Sequence, residues 1–211
     1  EISYRDMFTV QRIGESARDS TPFLEGSLLG IRRSAYSESA LDTGSNADDA
    51  QLAVATRIAG FRAIQDQEMI FREPIPPTYL EFREQKVRRA QGLQRLLWRY
   101  RKYWFSRRQG AWGRILGMQA IMHIVMPWAV LIGSMFAVVK WCMLIGSPEL
   151  SLFVITTLIL DAWIFGSWLL FRIGIKLPLM TLPATFIDSM NSLLISQFKL
   201  LSGESMHLWN Q

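Results

Sequence analysis

Two carboxylates, Asp48 and Asp49, stand side by side in the stretch SNADDAQLAVATRIAGFRA (45–63), just before an apolar-periodic run that closes at Gly60. A carboxylate held against a hydroxyl takes its proton as the oxygen attacks, which is general-base chemistry. The same residues also start helices. Asp48 followed three positions later by Gln51 fits a capping box, the acid accepting from a first-turn amide while the glutamine reaches back. Both acids complement the positive end of a helix. The cap accounts for Asp48 and leaves Asp49 without a task. Two further ionisable groups, His123 and Asp161, lie inside apolar runs, where such groups are candidates for function. Asp161 suits either a translocation path or a hydrogen-bonded place inside a helix pair, and an isolated histidine suits simple packing. Cys142 is the single cysteine, which excludes an internal disulfide and a multi-cysteine metal site. It reads as a small apolar packing residue.

The elements that must hold these groups fall into three compositional regions. Residues 1–84 are mixed and globular in character. Within them 23–36 (FLEGSLLGIRRSAY) reads as a short strand or turn and 37–48 as a polar loop. A helix over about 49–59 ends at Gly60 as its C′ residue. Residues 61–73 (FRAIQDQEMIFRE) alternate in part and read as one or two strands. After the break at 74–78, a helix is expected over about 79–105. Residues 85–114 carry ten Lys or Arg and no acid, interleaved with aromatics. Nucleic-acid binding suits such a run. A cytoplasmic segment beside a membrane helix suits it more simply, with Trp98, Trp104 and Trp112 in the interface belt and anionic lipid attracted to the charges.

The third region is apolar. Residues 115–139 run 25 positions without a formal charge, and 150–171 form a second run broken by Asp161. Each is long enough to cross a bilayer as a helix, and both lie too far from the N-terminus for a signal peptide. An integral protein of the plasma (inner) membrane is expected, with the N-terminal region cytoplasmic and the chain returning at the basic patch 172–176. Residues 184–201 place Phe186, Met190, Leu193, Leu194 and Leu201 on one face. Asp188, Asn191, Ser192, Ser196 and Lys199 lie largely opposite. That spacing predicts an amphipathic helix lying in the interface, which keeps both termini cytoplasmic. A third span would put the C-terminus outside.

Taken in order, Gly26-Ser27, Ala47-Asp48-Asp49, Gly60-Phe61 and Gln85-Lys86-Val87-Arg88 resemble the second half of a membrane-attached family 2 glycosyltransferase of the GT-A type. Cellulose- and hyaluronan-synthase-like and polyprenyl-phosphate-type enzymes share this pattern. The resemblance covers roughly 20–95. It implies an α/β fold for the first region, a partial GT-A catalytic domain over 1–84, followed by helical membrane segments. It also implies inverting transfer of a sugar from a nucleotide-sugar donor to a lipid-linked or polysaccharide acceptor. Asp49 matches the last acid of the family's triplet and so the general base, with Asp48 supporting it or capping the helix. Gln85, Arg88 and Arg89 fall where the donor diphosphate is bound, and Gly26 and Ser27 at the acceptor-side turn. Arg89 stands where the motif has Trp, which speaks against processive synthesis. The family's Asp-x-Asp, which holds a divalent metal (Mg or Mn), does not occur before residue 60. The metal is thus implied by resemblance only, with no ligand here, and the chain is expected to be the C-terminal part of a longer enzyme, inactive alone. No nucleic-acid partner is expected. The rival reading is a non-enzymatic membrane scaffold or accessory subunit with a lipid-docking basic helix.

Overall fold

The computed structural model describes residues 2–36, 41–42, 44–69, 71, 78–146, 151–175 and 177–204. Among them the chain is helical: α1 (Ile2–Arg18), α2 (Asp48–Ile58), α3 (Tyr79–Arg99), α4 (Gly110–Ala120), α5 (Met126–Gly146), α6 (Leu152–Arg172) and α7 (Thr181–Leu201). No strand occurs among the described residues, and this corrects the α/β expectation. The stretch 61–69 is extended, yet it has no strand beside it. It lies instead on the end of α1. Thr21 N–H donates to the Ala63 carbonyl at 2.9 Å, Ala63 N–H to Ser20 Oγ at 3.2 Å and Gln65 N–H to Ser16 Oγ at 2.8 Å. Alternation describes a pleated face, but a strand also needs a ladder partner, and here Ser16 of α1 and the Ser20–Thr21 segment just after it take that place. The stretch 23–36 is a turn and a short 3₁₀ step at Arg33–Ala35.

The core explains the arrangement of α2, α3 and α4. Phe23, Ala50, Val54, Leu96, Leu97, Trp112, Leu116 and Ala120 form one buried cluster. Trp112 is fully buried, with the Arg57 guanidinium 5.6 Å from its ring centroid. It therefore packs protein and does not sit in an interface belt as the sequence suggested, whereas Trp98 is exposed. The helix expected to continue to 105 stops at Arg99, and the chain reverses through two 3₁₀ turns back onto α4. Gly113 and Gly117 make that reversal possible. A Cβ on Gly113 would stand 2.7 Å from the Ser106 carbonyl oxygen, and one on Gly117 2.6 Å from the Phe105 ring.

From Gly110 the chain runs as helix through α4, a π turn over Ile121–Val125 and α5. Pro127 has no N–H to offer the preceding turn. The freed His123 carbonyl accepts from the side-chain amides of Gln94 at 3.0 Å and Gln197 at 3.1 Å. α3 and α7 are thereby fastened to the point where the helix turns from buried to exposed: Leu116 and Ala120 are inside the core, while Val125 is 55% exposed. α7 differs from the amphipathic expectation in which face is covered. Its Asp188, Ser189, Ser192, Ser196 and Gln197 are buried along with Met190 and Leu194 of the apolar face, while Phe186, Asn191, Phe198 and Leu201 are exposed. Its polar side meets α3 rather than water.

Candidate active site

The two acids at the start of α2 have separate environments. Asp48 is the first helical residue and is exposed. Ala47 occupies the cap in a left-handed conformation (φ 67°, ψ 47°) and has no side chain to cap the first turn. The capping box is therefore not formed. Gln51 is buried and turned away, binding the backbone of Asp42 and Ser45 in the preceding loop. The acids still stand at the positive end of α2.

Asp49 is half-buried. Its Oδ1 accepts from the Ala50 N–H at 2.8 Å, and the Gly26 N–H also donates to the carboxylate. Burial raises its pKa above the usual aspartate value, and the Asp48 charge raises it further. The Ala50 and Gly26 amides and the Arg89 charge oppose this. A Cβ on Gly26 would come within 3.2 Å of Asp49 Oδ2, so the glycine lets the 26–27 turn close over the acid. Ser27 is exposed in that turn.

The Gln85-x-x-Arg88 helix reaches this point through a joint between α3 and the loop before α2. Asn46 Nδ2 donates to the Arg88 carbonyl, a link between residues 42 positions apart. Gly92 completes the joint: a Cβ there would lie 2.7 Å from Asn46 Oδ1, 2.8 Å from the Asn46 carbonyl oxygen and 2.9 Å from Ala47 Cβ. A left-handed alanine is strained by about 1–2 kcal/mol, and such strain survives only where surrounding contacts determine it. Gly92 and Asn46 supply those contacts. Arg89 is exposed, with its charge felt at Asp49. Arg88 and Gln85 are half-buried, and burial together with the Arg89 charge loosens the Arg88 proton relative to free arginine. One cation, Arg89, thus acts on a carboxylate that retains its proton more readily than usual, and the partly desolvated Arg88 stands next to it in sequence on the same helix. Such a set can accept a proton and receive an anion.

The structure brings Asp48, Asp49, Gly26 and Arg89 together and ties Arg88 to their loop. It does not bring His123 or Asp161 there. The His123 ring donates through Nδ1 to the Gln119 carbonyl at 2.9 Å and meets Phe23 edge-on at 5.1 Å, a packed histidine. Asp161 pairs with Lys140 and accepts from Trp141 Nε1 at 3.2 Å, a bridge between α5 and α6. Sequence reasoning missed Asn46 and Gly92. The second had a signal, because a glycine inside a helix costs about 1 kcal/mol against alanine and marks a close approach. Among the described residues no three His, Cys, Asp or Glu side chains converge as metal ligands, so the site does not fit a divalent metal and no step is routed through one.

These features agree with what the chain resembles among known proteins. It belongs to glycosyl transferase family group 2, whose sequence profile matches residues 3–171. No curated protein matches it. Among solved structures it is similar to the mannosyltransferase PcManGT from Pyrobaculum calidifontis, determined in complex with GDP-Man and Mn2+. The match has a TM-score of 0.69 at 23% identity and covers 95% of this chain and 52% of that one, a likeness of fold. This chain thus spans about half the length of that protein.

Proposed function

We propose that the chain is the acceptor-side and membrane-anchoring part of an inverting glycosyltransferase, with Asp49 as its general base. The observation that carries the proposal is the setting of Asp49: half-buried, its pKa raised, closed over by Gly26 and faced by the cationic helix that also bears Gln85 and Arg88. An acceptor hydroxyl entering beside the Gly26–Ser27 turn gives its proton to Asp49 as its oxygen forms a bond to the anomeric carbon. The bond to the nucleotide diphosphate breaks on the opposite side, which inverts the configuration. The electron pair leaves on the diphosphate, whose added charge Arg88 and Arg89 stabilise while Gln85 donates a hydrogen bond. A divalent metal would neutralise donor phosphate charge.

The membrane reading rests on two helices long and apolar enough to cross a bilayer. Residues 110–144 in helix rise about 50 Å, well over the ~30 Å hydrocarbon core. Burial divides that length. The part before Val125 packs in the core with Trp112 and Leu116, and the exposed part up to Leu144 rises about 30 Å. The span therefore begins near Val125, α6 returns, and Arg172 marks the cytoplasmic side of the inner membrane together with the basic 85–114 segment. α7 lies at that boundary with its exposed Phe186, Phe198 and Leu201 toward lipid.

Labelled nucleotide sugars, GDP-mannose first, test the class of activity. Membranes carrying the complete enzyme should transfer label to a lipid-linked or saccharide acceptor. A protein that binds anionic vesicles but transfers no sugar from any donor would overturn the proposal and favour a scaffold.

A further inference from the structure

The helix that carries Gln85, Arg88 and Arg89 is gripped from two sides. The loop before α2 holds it through Asn46 and Gly92. α7 holds the other side, and the contact is polar. Asp188 is 8% exposed. Its Oδ1 accepts from the Tyr79 hydroxyl at 2.8 Å and its Oδ2 from Lys86 Nζ at 3.3 Å. The Tyr79 oxygen in turn accepts from Arg172 Nη1 at 2.8 Å, at the end of α6. The Arg172 guanidinium lies 5.5 Å from the Tyr79 ring centroid and 5.4 Å from that of Trp168. Lys86 Nζ stands 4.6 Å from the Phe82 ring centroid. The tyrosine gives its one proton to the carboxylate and a lone pair to the arginine, so α6, α3 and α7 meet in one directed chain.

The spacing on α3 is what makes this more than a surface ion pair. Residues 79 and 86 are seven positions apart, so they share a face and are separated by about 10 Å along the axis. One carboxylate bonded at both points fixes the rotation of α3 as well as its axial register. Apolar contact is non-directional and holds neither closely. A buried carboxylate also carries a desolvation penalty that only its partners offset, and a buried pair is weak evidence for stability as such. Fixing one arrangement of neighbouring helices is the use such pairs serve best. Gln85 lies within the clamped segment, and Arg88 and Arg89 lie within one turn beyond it. A displacement of about 1 Å at such groups can cost ~10²-fold in rate.

We propose that Asp188 is a positioning residue for the transfer reaction: through Tyr79 and Lys86 it sets the register of α3, and so where Gln85, Arg88 and Arg89 stand relative to Asp49. This rests on the functional reading given above.

The test uses the complete enzyme in membranes, with melting temperature and kinetics measured on each variant. Asp188→Ala should lower kcat about tenfold or more while the acceptor KM changes less than about twofold, because the displaced groups act on the leaving diphosphate. Exchanging the partners, Asp188→Lys with Lys86→Asp, should recover about threefold or more of the kcat lost in Asp188→Ala, because the exchange restores the contact at position 86 and not the one to Tyr79, a coupling that loss of stability alone does not produce. If Asp188→Ala does not fold, Asp188→Asn and Tyr79→Phe, each removing part of the clamp, should lower kcat about threefold or more in folded protein. Wild-type kcat in these variants would overturn the proposal, as would an exchanged pair that folds and stays as slow as the single variant. Asp49→Asn in the same preparation separates the two claims. Turnover surviving there removes the functional reading itself; turnover lost there and untouched by the Asp188 substitutions removes only the positioning role.

Discussion

Asp48 and Asp49 are neighbours in sequence with opposite surroundings, and the difference is measurable through pH. Burial first, and then the Asp48 charge, raise the Asp49 pKa, while Arg89 lowers it. A base works only when deprotonated, so the rate should fall on the acid side at a pH above that of an ordinary aspartate. Asp48→Asn removes a negative neighbour, which lowers the Asp49 pKa and moves that acid limb to lower pH. Arg89→Gln removes a positive one and moves it to higher pH, with a loss in kcat as well. Rate profiles of the two variants that coincide with the wild type would contradict the assignment of Asp49 as the titrating group. At this scale the sequence pointed to Asp49 because adjacent acids at a helix start leave one unexplained by capping. It misread the cap, since the left-handed turn at Ala47 packs with Asn46 against Gly92 of a helix more than 40 positions away. No local pattern carries that information.

Among the elements, the joint between α3 and the loop before α2 is where packing and function meet. Gly92→Ala improves helix propensity by about 1 kcal/mol, but its methyl would collide with backbone as well as side-chain atoms. Overpacking of this kind costs about 1–3 kcal/mol and shifts backbone, so the clash wins. A lower melting temperature and impaired transfer are expected together, and wild-type values of both would show that the joint does not matter. α2 and α7 were legible as helices from apolar spacing, α6 from the length of its apolar run and α3 from its place after the break at 74–78. The turn offered for 23–36 is found, whereas a strand over 61–69 was misread because alternation says nothing of whether a ladder partner exists, and the Ser16 and Ser20 hydroxyls fill that role; residues 70, 72 and 73 lie outside the described residues. The amphipathic pattern of α7 was legible, but which side faces protein was not. A polar stripe meets water or another polar stripe equally well, and here α3 offers Tyr79, Lys86 and Gln94.

For the whole molecule, the topology proposed from the two long apolar helices and the basic segment before them is one that fusions can read. A fluorescent protein at the C-terminus should be bright in the cytoplasm and alkaline phosphatase there inactive; active phosphatase would mean a third crossing. The Lys140–Asp161 bridge should keep both helices in the membrane fraction through alkaline extraction, because pairing reduces the cost of charges at membrane depth. That pair was half legible: Asp161 stood out in its run, whereas Lys140 at the end of the other gave no sign of being its partner. The membrane anchor and the clamped α3 matter functionally only if Asp49 removes the acceptor proton. The direct measurement is kcat for sugar transfer by the complete enzyme with Asp49→Asn beside Asp48→Asn. A fall of about 10²-fold or more is expected for Asp49→Asn, the scale of a lost general base, with Asp48→Asn close to wild type at neutral pH. Turnover by folded Asp49→Asn at the wild-type rate would contradict it.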